Sequence, residues 1–250
     1  MPSINTNVAA IKARSNLDRV QREMDTSIAR LSSGKRITRA HDDAAGSAIA
    51  GRMESQIRGL NMSIRGAKDG QSLVDTQEGA LQEVTALLQR MRELAVQSES
   101  GALADADRDY LQLEVTQLFN EINAISDNTK FNDTRVMTGA AFTFYTDIDV
   151  AGTAITTVEV SASAQNLVTS ISSISIGSGQ VLGSTSGVQA SITKLDTAIA
   201  SVAAMRANLG AVSNRFDHII DNLTNVVANT EASKSRVEDA DFAVETTQLT

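Results

Sequence analysis

Two short stretches of the chain hold residue types that could do chemistry. In the first, Gly34 and Lys35 form a Gly-Lys pair, and His41, Asp42 and Asp43 form a cluster. Glycine amides with a lysine can bind phosphate, and histidine with carboxylates can bind a metal ion. In the second stretch, GSGQVLG resembles the glycine spacing of a dinucleotide-binding loop.

Neither stretch meets the requirements of that chemistry. The Gly-Lys pair lacks the earlier glycine of a phosphate loop and the Ser or Thr directly after lysine. GSGQVLG misses the dinucleotide spacing by one residue, and the second histidine, His218, is isolated in sequence. We therefore interpret Gly34 as a helix break and the aspartate before Ala44 as a helix N-cap. We expect no catalytic residue, cofactor or metal.

The composition favours helices that pack side by side. The chain of 250 residues has no cysteine, no tryptophan, one proline and 3% aromatic residues. Its core must therefore use aliphatic side chains, which suits long helices better than a substrate pocket with aromatic walls. The lack of cysteine excludes disulfides and thiol catalysis.

Charge and hydropathy argue against nucleic-acid and membrane partners. Residues 1–68 hold twelve basic and six acidic residues, yet this basic arm has no aromatic residue to stack on a base. No apolar run approaches the roughly 20 residues of a membrane span. The start of the chain also lacks a cleavable secretory signal, so export would need another route.

Apolar spacing predicts a mainly α fold, an elongated bundle of long antiparallel helices that resembles a coiled-coil rod. One helix covers the first thirty residues, and a second runs from about Asp43 to about Glu99. A third follows, with Asp105 or Asp107 as N-cap, and the last runs from Val188 for about forty residues. Glycines in the second helix, at positions 66, 70 and 79, predict close approach of neighbouring helices.

The middle of the chain has a different pattern. FTFYTDIDV alternates apolar and polar residues and ITTVEV can return the chain, which predicts a β-hairpin near 140–162. Residues 176–187 are rich in serine and glycine and predict a linker. We expect domains at 1–42, at 43–175 with 188–238, and at 239–250, with the two terminal segments packed together.

The helical stretch QRMRELAVQ allows two interpretations. Arg90 shares a helix face with Glu93 and Leu94, because these residues lie three and four positions apart. The face could be solvated and hold an intrahelical ion pair, or it could dock a partner.

Long motifs in the chain resemble bacterial flagellins. INTNVAAI, RLSSGKRITRAHDDAAGSAIAGRM, LQRMRELAVQS and NTKFND are similar to the amino-terminal region of that family, and NLGAVSNRFDHIIDNL and SRVEDADFAVE to its carboxy-terminal region. The resemblance covers roughly residues 1–140 and 188–250. It implies an extracellular structural subunit that self-assembles into the flagellar filament for motility. Its expected partners are other flagellin subunits, the type III export apparatus, a chaperone and the filament cap.

The resemblance also implies roles for particular residues. It implies a hinge and subunit contact at Gly34, Lys35, Arg36, Arg39, Asp42 and Asp43. It implies a surface for axial contact, recognised by Toll-like receptor 5, at Gln89, Arg90, Glu93, Leu94, Gln97 and Glu114. Position 118 is Leu where well-recognised members often carry Arg.

The chain departs from the family pattern at its end. It stops after ETTQLT, where family members continue with another apolar helix, so we expect the carboxy-terminal partner of residues 4–31 to be absent and the apolar stripe of the first helix to be exposed. The alternatives are a hook–filament junction protein and a secreted coiled-coil adhesin.

Overall fold

The computed structural model describes residues 7–145, 157–160, 164–177 and 187–249. Six helices and four short strands form, so the predicted mainly α fold is confirmed for these residues. The helices are α1 (Val8–Ser33), α2 (Ala44–Ser98), α3 (Asp105–Asn128), α4 (Gln165–Ile171), α5 (Val188–Glu238) and α6 (Phe242–Leu249). The strands are β1 (Lys130–Phe131), β2 (Thr134–Arg135), β3 (Phe142–Tyr145) and β4 (Thr157–Val160).

Both ends of α1 have a recognisable cap, whereas the start of α3 has no side-chain cap. Helix α1 begins where the Asn7 side chain accepts a hydrogen bond from the Ala10 amide, and it ends at Gly34, whose φ of 70° suits glycine. The predicted N-cap of α3 at Asp105 or Asp107 is wrong. Ala104 occupies that position without a side-chain bond, and both aspartates lie inside the first turn, where their charge complements the helix dipole.

Contacts divide the chain into two compact units, one of Met1–Asn61 with Thr224–Thr250 and one of Met62–Leu223. The boundaries between these units fall within α2 and α5, and the domain limits at 42/43 and 238/239 stay a prediction. The unit boundaries lie inside these helices because the beginning of α2 and the end of α5 pack with the segment that follows α1.

The core of the second unit is an aliphatic stripe along α5, packed with α2 and α3. The predicted periodicity of α5 and α3 is confirmed for most of the stripe, because its apolar positions up to Leu223 are buried or half-buried, whereas Val226 is exposed. Helix α5 continues to Glu238, past the predicted stripe. The largest fully buried side chains on these helices are Leu73, Leu81, Leu88, Met91, Leu94, Ile122, Leu195, Leu209 and Phe216.

Strands β3 and β4 form the predicted antiparallel hairpin, with Phe142 opposite Val160 and Tyr145 opposite Thr157. Its turn AGTA and residues 147–150 lie outside the described residues, as does most of the predicted linker. Sequence periodicity missed α4 and the small β1–β2 ribbon. The ribbon turns through Asn132 and Asp133, both with positive φ, and both residue types tolerate that conformation.

The prediction that helix glycines mark close approach holds at one position and fails at another. A Cβ at Gly70 would lie 2.6 Å from Phe216 Cζ and 3.1 Å from Phe144 Cγ, so the two rings occupy the space beside this glycine. Those rings meet edge to face with centroids 5.9 Å apart. A Cβ at Gly79 would meet nothing within 4 Å, so the prediction is wrong there.

Replacing these two glycines should therefore change stability in opposite directions. Gly70→Ala forces the buried Phe216 ring to move and should destabilise the second unit by about 1–3 kcal/mol. Gly79→Ala adds helix propensity in open space and should stabilise by up to about 1 kcal/mol. Urea denaturation followed by circular dichroism measures both. Equal effects of the two substitutions would contradict this account of Gly70.

Candidate functional site: a charged joint and an exposed charged face

The segment after α1, residues 34–43, is here called the joint. Its backbone covers the end of α5: the Arg36 amide donates to the Glu238 carbonyl at 2.7 Å, and Ala240 N donates to the Gly34 carbonyl at 3.0 Å. Arg36 Nη2 also donates to the Val237 carbonyl at 2.7 Å. The last carbonyls of a helix lack intrahelical partners, so the joint satisfies groups that would otherwise need water.

The other end of the joint begins α2. Asp43 Oδ1 accepts a hydrogen bond from the Gly46 amide at 2.8 Å, which confirms the predicted N-cap. Arg36 lies 3.5 Å from Asp43 Oδ2 and so links the end of α5 to the start of α2. The hydrogen bond from Gly46, with a smaller contribution from Arg36, lowers the pKa of Asp43 below its ordinary value.

Asp42 closes a tight turn inside the joint. Its Oδ2 accepts from the Thr38 hydroxyl at 2.8 Å and from the Thr38 and Arg39 amides at 3.1 and 2.9 Å. These bonds, the Thr38 hydroxyl foremost, lower the pKa of Asp42. His41 Nε2 lies 3.1 Å from the other oxygen. Within the His-Asp-Asp motif, Asp42 thus builds a turn and Asp43 caps α2. No cluster that could hold a metal ion occurs among the described residues.

An alternating chain of charges lies beside the joint. Glu54 on α2 contacts both Arg58, at 2.8 Å, and Lys234 on α5. Lys234 lies 3.8 Å from Glu238, which in turn pairs with Lys35 of the joint at 2.5 Å. The hydrogen bond from Lys234, followed by that from Arg58, lowers the pKa of Glu54 to about 2. The pair with Glu54 raises the pKa of Lys234.

The predicted joint residues therefore have partners within their own chain. Gly34, Lys35, Arg36, Asp42 and Asp43 hold helix ends together, while the Arg39 side chain is exposed. Pairing of these charges across subunits stays a prediction. Sequence reasoning missed four network members, Glu54, Arg58, Lys234 and Glu238. The signal was available, since Glu54 with Arg58 and Lys234 with Glu238 are opposite charges four residues apart.

Five residues of α2 and α3 form a surface here called the exposed charged face: Gln89, Arg90, Glu93 and Gln97 are exposed, and Glu114 is half-buried. Arg90 is its centre, with Nη1 at 3.1 Å from Glu93 and Nε at 2.9 Å from Glu114. These carboxylates, Glu114 first, raise the pKa of Arg90. The predicted intrahelical pair is confirmed, and the bond to Glu114 also ties α2 to α3.

The placement of Leu94 on this surface is wrong. Leu94 is 1% exposed and belongs to the core of the second unit. Helical spacing places it near Arg90, but the helix turns it inward beside Met91 and Ala95, so it supports the face from beneath. Leu118 is likewise partly buried against that core.

Helix α1 carries an exposed row of apolar side chains, here called the α1 stripe: Leu17, Val20, Met24 and Ile28. They are 69%, 55%, 41% and 48% exposed. Helix α6 runs back along α1, since Ala240 bonds to Gly34 while Glu245, further along α6, pairs with Arg30 at 2.9 Å. The predicted packing of the terminal segments is confirmed, but α6 leaves the α1 stripe in water.

The described residues thus define a helical protein in which several ion pairs link different helices, among them Lys234–Glu54, Arg90–Glu114 and Arg206–Glu78. None of the described helices is both long and apolar enough to cross a membrane. The α1 stripe is a surface of the kind that docks another helix. These features are typical of a structural protein that associates through its helices.

Comparison with protein families agrees with a structural helical protein. Residues 4–141 match the bacterial flagellin N-terminal helical region, and residues 192–250 match the bacterial flagellin C-terminal helical region. The chain belongs to the bacterial flagellin family. It is therefore a structural, non-enzymatic protein of the extracellular flagellar filament.

Individual relatives support this assignment. A flagellin of Halalkalibacterium halodurans is 37% identical over 99% of this chain and 89% of its own length. The flagellar filament core protein flaB2 of Brachyspira hyodysenteriae is 36% identical over 96% of this chain and 87% of its own length.

Solved structures agree on the fold. The crystal structure of Bacillus cereus flagellin matches with a TM-score of 0.52 and 29% identity, over 66% of this chain and 94% of that one. A putative flagellar hook-associated protein of Vibrio parahaemolyticus matches with a TM-score of 0.68, over 79% of this chain and all of that one. At 15% identity the second match shows the fold alone.

The charge network beside the joint should make the stability of the folded chain decrease as the pH falls. The pKa of Glu54 is about 2 in the folded chain against an ordinary value of 4.5, so the unfolded chain binds more protons between those values. The Glu54 contribution is fully present above about pH 5 and is lost as the pH falls toward 2. In Glu54→Gln, thermal unfolding should occur at lower temperature than in the parent at neutral pH, and the difference should shrink toward pH 2. A difference that stays constant down to pH 2 would contradict the network.

Proposed function

We propose that this chain is a filament-forming subunit that polymerises with copies of itself, and that the α1 stripe is a principal contact. The supporting observation is the exposure of four large apolar side chains at helical spacing on one helix. Burying such side chains releases roughly 25 cal/mol for each Å² removed from water, so a second helix on the stripe would stabilise an assembly. Spacing of three and four residues is the pattern that helices use to pack lengthwise.

The route to the filament follows from the same assignment. We infer export as an unfolded chain through the flagellar type III apparatus, with a chaperone before export and a filament cap at the growing end. A chain without cysteine needs no disulfide after export, which agrees with this route. A hook–filament junction role remains the alternative, and the likeness to the hook-associated protein does not favour it because it concerns the fold alone.

Seeded growth tests the stripe. Short filament seeds mixed with the parent chain should elongate, as followed by light scattering and electron microscopy. Val20→Asp places a charge in the stripe, and elongation should fall by at least about tenfold because a buried unpaired charge is costly. Ser15→Asp makes the same change at an exposed position outside the stripe and serves as the matched control. Equal elongation by both variants would contradict the assignment of the stripe.

We further propose that the exposed charged face on α2 and α3 is an axial contact between subunits and the surface that Toll-like receptor 5 recognises. An arginine held by two carboxylates on rigid helices is preorganised for docking, and arginine is enriched among residues that dominate binding energy. The two uses compete, so a subunit in a filament would hide this face from the receptor.

Arg90→Ala should weaken both uses. It removes the bonds to Glu93 and Glu114 and should lower receptor signalling by monomers by about tenfold or more, as expected for a residue central to an interface. A cell line that reports receptor activation measures this directly. Arg92→Ala is the control, since Arg92 pairs with Asp196 on α5 instead. If Arg90→Ala changed neither receptor signalling nor elongation, the proposal that this face is an axial contact and a receptor surface would be contradicted.

A further inference from the structure

Exposure differs widely among the methionine side chains. Met91 and Met137 are fully buried in the core of the second unit, and two other methionines are half-buried. Met24 and Met62 are 41% and 57% exposed. Oxidants in water convert a methionine thioether to a sulfoxide most readily where the side chain is exposed. Of the methionines that the structure describes, Met24 and Met62 are therefore the two most accessible to this modification.

The Met62 sulfur is engaged by a neighbouring cation. Arg65, three residues further along α2, donates from Nη2 to Met62 Sδ at 2.6 Å. Oxidation begins when a sulfur lone pair attacks the oxidant, and a lone pair that accepts a hydrogen bond from a guanidinium is a weaker nucleophile. Met62 should therefore react more slowly than its exposure alone suggests.

The surroundings of Met24 differ from those of Met62 in both respects. Met24 lies in the α1 stripe, one helical turn from Val20 on one side and from Ile28 on the other, and both neighbours are exposed apolar side chains. Among the residues that the structure describes, none donates a hydrogen bond to Met24 Sδ. A sulfoxide here would place a strongly polar oxygen in an apolar row, and burying that row would then require its desolvation.

We propose that Met24 is an oxidation site: a peroxide converts it to methionine sulfoxide, and the sulfoxide slows assembly through the α1 stripe until a reductase restores the thioether. The inference rests on the proposed function, because the sulfoxide affects assembly only if the α1 stripe is buried in the filament. Met24 is chosen over the more exposed Met62 because Arg65 engages the sulfur of Met62.

The oxidation step transfers one oxygen atom and two electrons. A lone pair of Met24 Sδ attacks one oxygen of hydrogen peroxide, the O–O bond breaks and an S–O bond forms. The other oxygen takes the proton of the attacked oxygen and leaves as water. The sulfur is oxidised by two electrons, and the peroxide is reduced by two. Two sulfoxide reductases, one for each epimer, reverse the step with a thiol as the reductant.

Peptide mass spectrometry of the full chain after timed exposure to hydrogen peroxide tests the choice of Met24. The Met24 sulfoxide should form at least about twofold faster than the Met62 sulfoxide, although Met62 is the more exposed. Arg65→Gln removes the donor and should raise the Met62 rate by about twofold or more. Lys68→Gln removes an exposed charge from the same helix and is the matched control. Faster reaction of Met62 in the unsubstituted chain, or no effect of Arg65→Gln, would overturn the choice.

Seeded elongation tests the consequence for assembly, and each chain is compared with its own untreated sample. Parent chain treated with peroxide, which catalase then removes, should elongate seeds about tenfold more slowly, because assembly must desolvate the sulfoxide. The sulfoxide reductases should restore the rate. Met24→Leu offers an apolar side chain that peroxide does not oxidise, so treatment should change its rate by less than about twofold. Met62→Leu should remain as sensitive to treatment as the parent chain.

The outcomes separate the inference from the function on which it rests. Failure of the untreated parent chain to elongate seeds would contradict the proposed function itself. If the untreated chain elongates and oxidation of Met24 does not slow it, the inference is overturned. Equal sensitivity of Met24→Leu and the parent chain would also overturn it. Far-ultraviolet circular dichroism of the treated monomers should show unchanged helix content, and a loss of helix would overturn the inference because unfolding would then explain the slower growth.

Discussion

The aliphatic stripe along α5 is the constraint on which the second unit depends. With few aromatic residues available, this unit is stabilised by Leu, Ile, Val and Met side chains that recur every three or four positions. Such a core favours helices in long contact. Phe216 is the large aromatic exception, and the Phe144 ring and the missing side chain of Gly70 accommodate it.

Hydrogen bonds and ion pairs of charged side chains also connect the helices to one another. Arg36 joins the end of α5 to the start of α2, Glu54 and Lys234 link those helices a few turns away, and Arg90 ties α2 to α3. The pKa shifts of Glu54, Lys234 and Arg90 favour the charged form, as expected for ion pairs that hold structure.

Much of this architecture follows from sequence periodicity, and the exceptions have physical reasons. The spans of α1 and α2 and the β3–β4 hairpin were predictable because apolar spacing and turn residues agree there. Leu94 was wrongly placed on the surface because residues four positions apart on a helix can differ in burial. Arg90 is exposed, whereas Leu94 lies in the core. Asp105 was misassigned because a carboxylate can stabilise a helix start by charge alone. The buried Glu245 was unpredictable, since its partner lies 215 residues away.

Membership of the flagellin family and the exposed α1 stripe lead to one central claim, that this helix finds its partner in other copies of the chain. Helical reconstruction by electron cryomicroscopy of filaments grown from the chain tests it most directly. The account predicts filaments in which Leu17, Val20, Met24 and Ile28 are buried between subunits. Filaments in which these four side chains face solvent would contradict it.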